Sequence, residues 1–355
     1  MPAGTTSGRH GRPQGLEVMP SDWEKLLERI GRDRRAGAST LLADGFEAAR
    51  LFLHAVRPLR PEPLARALEK FTLRLTASQP SMAPFLTLAN TLWLAADKDK
   101  RPSGGALHDA LVRYVDGVDR ALEATVRRAA GLVRSRSVVL TYSNSTAVRL
   151  ALWRAMAEGK GFVVTCSESR PMNEGVALAK FLAERGVRVY LVVDAGLSDW
   201  LGIADLVLVG ADAVFSPGIV NKIGTEPLLQ AARRIGVPAY VLADSSKWLP
   251  GRLARFWRIR PESPAEITAL RHANLVIHNR YFDQSAVNLL TGIVWEGGVS
   301  RPGDVRRRIA RLPVSRGLGR LLLKSRTAGF RTVGFPLSSR PGRSEAGPAG
   351  NRAPG

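Results

Sequence analysis

Along residues 21–133, apolar positions recur every three or four residues, the spacing that gathers them on one face of an α-helix. In the first such stretch Trp23, Leu26, Leu27 and Ile30 share a face, and Ser21 followed by Glu24 has capping-box spacing. Further helices are predicted from Ser39 to the break at Pro58, over 63–75, over 85–96 after Pro80 and Pro84, and over 107–133. These stretches predict an all-helical lobe over residues 17–136. Residues 1–16, rich in Gly, Pro and small polar side chains, read as a disordered N-terminus.

After Arg136 the pattern changes to short β-branched runs that alternate with helical ones. Strands are predicted at 137–141, 162–165, 188–193, 204–210, 238–243 and 274–278, with helices starting at Ser145 and Asn173 and another over 225–236. Continuous apolar strands separated by helices signal a parallel sheet covered on both faces. The predicted class is therefore α/β: an N-terminal all-helical lobe followed by a Rossmann-like, doubly wound parallel sheet over residues 137–311. In such sheets ligands bind at the carboxyl ends of the strands.

Composition sharpens this picture in three places. The 355 residues are enough for two lobes with separate cores. The net charge is +21, but residues 301–355 hold thirteen Arg or Lys against two acids, so +11 of it lies there. Residues 312–355, rich in Gly, Pro and Ser, read as a basic disordered tail, and a weak nucleic-acid contact is expected through that tail alone. The single cysteine, Cys166, excludes an intramolecular disulfide and a Cys-based metal site, and a reducing cytoplasmic setting is expected. The first residues lack the apolar segment of a secretory signal, and no apolar run approaches the length of a membrane span, so no membrane partner is expected.

Candidate chemistry collects at the predicted strand ends. Ser143, Asn144 and Ser145 follow the first strand, Glu168-Ser169-Arg170-Pro171 the second, Gly210-Ala211-Asp212 the fourth and Ser245-Ser246-Lys247 the fifth, with Asn221 and Lys222 between the last two. Arg170, Lys222 and Lys247 beside helix N-termini suit a phosphate. Plainer roles exist for each group. Ser143, Asn144 and Ser145 read equally well as helix N-caps, Asp212 as a turn cap, Arg170 as half of a surface ion pair and Cys166 as a small buried hydrophobe. There is no Walker loop, GxGxxG or metal-spaced His pair, the five histidines are scattered, and no cofactor or metal is expected.

An ordered series of motifs resembles the alpha, beta and delta subunits of translation initiation factor 2B, together with ribose bisphosphate isomerase and methylthioribose phosphate isomerase. The series begins with Arg35-Ala36-Gly37-Ala38-Ser39, Pro80-Ser81 and Asn90. It continues with Glu168-Ser169-Arg170-Pro171, Glu174-Gly175, Val209-Gly210-Ala211-Asp212 and Asn221-Lys222-Ile223-Gly224-Thr225. It ends with Asn279-Arg280-Tyr281-Phe282-Asp283 and the run from Gly292 to Val299. The resemblance covers roughly residues 26–309. It implies a phosphosugar pocket between the lobes, with Arg35, Gly37, Ala38, Ser39, Arg170, Asn221, Lys222 and Lys247 as ligand or phosphate contacts. It also implies a homodimer or higher homo-oligomer joined through the second lobes.

In the isomerases the resemblance implies a catalytic pair, a cysteine after the first strand and an aspartate in the Gly-Ala-Asp segment. Asp212 matches the aspartate, but Ser143 stands where the cysteine would be. A thiol near pKa 8.5 exchanges protons at neutral pH, whereas a serine hydroxyl is a far weaker acid. Ser143 and the Ser-x-Lys of Ser245-Ser246-Lys247 look more like the initiation-factor branch. Gln284-Ser285-Ala286 departs from the threonine-proline pair usual after Phe-Asp. The expected function is binding of a phosphorylated ribose or nucleoside monophosphate with weak or no catalysis. The alternative is an aldose-ketose isomerase acting on ribose bisphosphate or methylthioribose phosphate.

Overall fold

A computed structural model describes residues 21–98 and 103–327. Five helices come first: α1 (Asp22–Arg32), α2 (Ala38–Val56), α3 (Pro61–Ser78), α4 (Ala83–Lys98) and α5 (Gly104–Leu132). The capping box forms as its spacing requires, with the Ser21 N–H donating to Glu24 Oε2 at 3.0 Å. Trp23, Leu27 and Ile30 turn inward, and Phe52 and Phe71 stack with ring centroids 4.3 Å apart in the same core.

The second lobe runs β1 (Val138–Tyr142), α6 (Thr146–Ala157), β2 (Val163–Ser167), α7 (Glu174–Ala183) and β3 (Arg188–Val192), followed by a 3-10 stretch, Asp194–Ile203. Then come β4 (Leu206–Gly210), β5 (Ala213–Val214), β6 (Gly218–Lys222), α8 (Thr225–Ile235), β7 (Ala239–Leu242), a 3-10 turn at Ser245–Lys247 and the short α9 (Gly251–Ala254). The chain continues through β8 (Phe282–Ala286), β9 (Gly292–Trp295), β10 (Gly298–Ser300), α10 (Pro302–Ala310) and α11 (Arg316–Thr327). Among the described residues one sheet has the order β10-β9-β7-β4-β1-β2-β3, parallel except for β10, and a small antiparallel sheet has the order β5-β6-β8. Strand order reverses between β1 and β4, so the crevice of this doubly wound sheet opens at their carboxyl ends.

The two lobes share a spine. The N-terminal half of α5 buries Leu107 and Leu111 in the helical core, while its C-terminal half buries Val126, Ala129 and Ala130 against the sheet. The other sheet face is covered by α8, α10 and the 3-10 stretch.

Three expectations need correction or restriction. The apolar run at 274–278 is not a strand: Leu275 and Val276 are 43% and 74% exposed, and β9 takes the place beside β7 instead. The tail does not begin at 312. Asn90 bonds both ways to residues 313–315, its Nδ2 donating to the Pro313 carbonyl at 3.0 Å and its Oδ1 accepting from the Ser315 N–H at 2.9 Å. Asp97 Oδ2 accepts from the Ser315 hydroxyl at 2.7 Å and the Arg316 N–H at 2.9 Å, which starts α11, and Leu318 and Leu322 enter the helical core. Residues 328–355 and 1–20, with the nucleic-acid contact and the disorder expected of them, lie outside the described residues.

Leu318 is fully buried. Leu318→Ala is expected to destabilise the protein by about 2–5 kcal/mol, the range for a core leucine truncation. Urea denaturation checks it, and a midpoint equal to that of the parent protein would return residues 316–327 to the tail.

Candidate ligand pocket between the lobes

A cavity of about 110 Å³ lies over the carboxyl ends of β1 and β4, roofed by the helical lobe. The roof is the turn from Arg34 to Ser39 together with Met82. The floor holds Ser143, Asn144, Ser145 and Thr146 after β1, Ala211 and Asp212 after β4, and Asn221 and Lys222 from β6, with Glu174, Lys247, Tyr281 and Phe282 at the sides. Of the residues expected from the sequence, Arg35, Gly37, Ala38, Ser39, Ser143, Asp212, Asn221, Lys222 and Lys247 all meet here.

Arg170 does not. It is exposed and outside the cavity lining. Asp194, just after β3, accepts from the Ser169 N–H at 2.8 Å and the Arg170 N–H at 2.7 Å, holding the loop so that buried Ser169 is the residue that reaches β1. The Ser169 hydroxyl accepts from the Ser143 N–H at 2.9 Å, which helps hold Ser143 at φ 68°, a left-handed conformation rare for serine.

Sequence reasoning missed Glu174 and Tyr281 as site residues. Glu174 carried a signal, since it opens a predicted helix, where a carboxylate complements the helix dipole. Gly175 is what brings it in: a Cβ there would lie 1.8 Å from the Ser167 carbonyl oxygen, so α7 can start against β2 only with glycine. Glu174 Oε1 then sits 2.7 Å from Lys222 Nζ and accepts from the Ser143 hydroxyl at 3.4 Å.

Lys222 is 3% exposed, with the Tyr281 ring centroid 4.9 Å from its ammonium. Its pairing with Glu174 lacks hydrogen-bond alignment, and Glu174 Oε2, Asn144 Oδ1 and Ser145 Oγ are likewise buried without a hydrogen-bond partner. Ser145 occupies the N-cap position of α6 without capping it, and Gly37 starts α2 with no side-chain cap, so both helices present uncapped N-termini beside the cavity. Gly210 permits this at Ser145, because a Cβ there would fall within bonding range of the serine hydroxyl. Two positive helix ends, two lysines and unsatisfied polar atoms suit a small anion with hydroxyl groups.

β6 is held in place from behind. Asp283 on β8 pairs with Asn221, and its Oδ2 accepts from the Gly224 N–H at 2.7 Å and the Glu226 N–H at 3.2 Å. The departure at Gln284-Ser285-Ala286 falls inside this β6–β8 ladder. Burial pushes Asp212 up from 3.8 to about 6, against the pull of Lys247 and Lys222 and with added repulsion from Glu174. Burial also pushes the Cys166 thiol up to about 12, so it packs as a small hydrophobe and takes no part in the site. Among the described residues no group of three or more His, Cys, Asp or Glu could hold a metal ion, and no helix is long and apolar enough to cross a membrane.

A helical lobe closed over the crevice of a Rossmann-like sheet, with lysines and open helix ends in the cleft, defines a two-lobed α/β protein whose pocket suits an anion. The chain belongs to the Initiation factor 2 subunit family, whose profile matches residues 34–302. It is 31% identical over 193 residues to ribose 1,5-bisphosphate isomerase of Methanocaldococcus jannaschii, a match covering 53% of this chain and 63% of that protein's length. It is 29% identical over 289 residues to a putative translation initiation factor eIF-2B subunit 2-like protein of Pyrococcus furiosus, covering 80% of this chain and 98% of that one. The crystal structure of the Pyrococcus horikoshii OT3 translation initiation factor eIF-2B superposes with a TM-score of 0.71 at 26% identity, over 81% of this chain and 100% of the other.

The raised Asp212 value has a definite sign in stability. A carboxyl whose folded value lies above its unfolded value favours the fold where it is protonated; that contribution is complete below 3.8 and is lost as pH rises through about 6. Asp212→Asn should therefore stabilise the ligand-free protein above pH about 6, with the gain fading toward pH about 4. Denaturation midpoints of both forms across that window test it, and a gain independent of pH would refute it.

Proposed function

We propose that the inter-lobe pocket binds a phosphorylated ribose and that the chain turns it over slowly or not at all, as a ligand-binding member of the initiation factor 2B type. The observation that carries this reading is Lys222, an ammonium 3% exposed whose pairing with Glu174 lacks hydrogen-bond alignment, in a cavity edged by two uncapped helix N-termini. A phosphate supplies the acceptors that such donors lack. The name of the M. jannaschii relative, an isomerase of ribose 1,5-bisphosphate, supports the ligand class. The reading includes a homodimer or higher homo-oligomer formed through the second lobes.

Weak turnover follows from Ser143. Its hydroxyl faces Glu174, but that carboxylate is ion-paired with Lys222 and so is a poor base for so weak an acid. A second reading, sugar phosphate isomerisation, is favoured by Asp212, which at about 6 sits where a carboxyl can both take and return a proton near neutrality.

Lys222→Met should weaken ribose 5-phosphate binding by at least about tenfold, since a charge-assisted hydrogen bond contributes about 1.5–3 kcal/mol. Arg170→Ala should leave it unchanged, and calorimetry showing the reverse order would move the phosphate out of this pocket. Ser143→Cys, which puts a stronger acid opposite Asp212, should raise turnover of ribose bisphosphate or methylthioribose phosphate from near background. Brisk turnover by the parent protein would decide for the isomerase.

A further inference from the structure

Ser39 and Lys247 line the inter-lobe pocket and also a second, larger cavity of about 480 Å³ between α2, α5 and the turn after β7. That volume lies in the range of small-molecule sites. Its walls are apolar, with Leu42 and Phe46 on α2 facing Leu111 and Val115 on α5. Phe46 is set edge-on to Tyr114, with ring centroids 5.8 Å apart. The polar groups stand at the two ends: buried Asp244 and Lys247 inside, Asp116 and Asp119 at the mouth.

A bare ribose phosphate has nothing to place in such a cavity, because its hydroxyls would lie against leucine and valine with their hydrogen bonds unmade. A second phosphate would meet the carboxylates of Asp116, Asp119 and Asp244. A flat aromatic ring satisfies both constraints, since its faces pack on the apolar walls and an exocyclic amino group can donate to a carboxylate at the mouth.

We infer that the cavity between α2 and α5 receives the aromatic base of a nucleoside monophosphate whose ribose phosphate lies in the inter-lobe pocket. The inference rests on the phosphate-pocket reading above and names its ligand, a monophosphate carrying a base and not a bisphosphate. Ser39 and Lys247, shared by both cavities, stand at the passage from ribose to base.

Calorimetry on the full chain tests it with ribose 5-phosphate, ribose 1,5-bisphosphate, methylthioribose 1-phosphate, adenosine monophosphate and guanosine monophosphate. One of the nucleotides should bind at least about tenfold tighter than ribose 5-phosphate, the gain expected for burying a base on apolar and aromatic side chains. Val115→Trp, which fills the cavity, should reduce nucleotide affinity about tenfold more than ribose 5-phosphate affinity. Should that variant fail to fold, Phe46→Ala should narrow the same gap. If ribose 5-phosphate binds and no nucleotide binds more tightly, the base site is overturned while the phosphate pocket stands. The base site is overturned in the same way if the bisphosphate or the thioether sugar takes the gain instead. If none of the five binds, the phosphate reading itself fails, and the base site with it.

Discussion

The buried charge of Lys222 is the constraint around which the site is organised. Taking an ammonium out of water costs several kcal/mol unless an opposite charge meets it. Glu174 provides that charge, and it reaches Lys222 only because α7 begins hard against β2, where Gly175 leaves room for the Ser167 carbonyl. That start depends in turn on Asp194 holding the amides of residues 169 and 170, and on Ser169 tying the loop to Ser143. From the other side, Asp283 fixes β6 and the first turn of α8. Loops from several strands are thus set in relation to one ammonium.

The width of the cleft is set by contacts that cross it. The helix α5 runs through both cores, so the lobes cannot separate without breaking one of them. Around that spine the Ala83 N–H donates to the Asp212 carbonyl at 3.0 Å, the Thr87 hydroxyl to the Ser246 carbonyl at 2.7 Å, and the Arg260 N–H to the Ser81 hydroxyl at 2.9 Å. Arg34 pairs with buried Glu262 at 2.9 Å beside the turn that roofs the cavity. Two of these bonds involve residues 212 and 246, so the groups facing the pocket are held by the contacts that join the lobes. Such rigidity suits recognition, in which positions are set before the ligand arrives.

A scaffold of this kind does not by itself decide between binding and turnover. What differs is the pair of groups at the ends of β1 and β4. Asp212 retains a titration near neutrality because burial outweighs two lysines, while Ser143 offers a hydroxyl that neither its left-handed backbone nor its contact with Glu174 turns into a useful acid. The proton path is therefore half built, and binding is the better-supported use of the pocket.

The local pattern of residues was enough to determine the helical lobe, the capping box at Ser21, the strands that carry Ser143, Asp212 and Lys247 just past their ends, and the side of the sheet on which a ligand would sit. Those features depend on periods of two or 3.6 residues and on what a strand-to-helix turn demands, and both are written within a few positions. Whatever depends on a partner far along the chain was decided only by the tertiary structure. The run at 274–278 looks like a strand but stays at the surface because Gly292–Trp295 takes the place beside β7. Residues 316–327 look like tail until Asn90 and Asp97, more than 200 positions earlier, supply the hydrogen bonds that start a helix there. Arg170 and Glu174 lie four positions apart in one motif. Asp194 and the Gly175 packing direct the first outward and the second onto Lys222, a choice that depends on contacts from other strands.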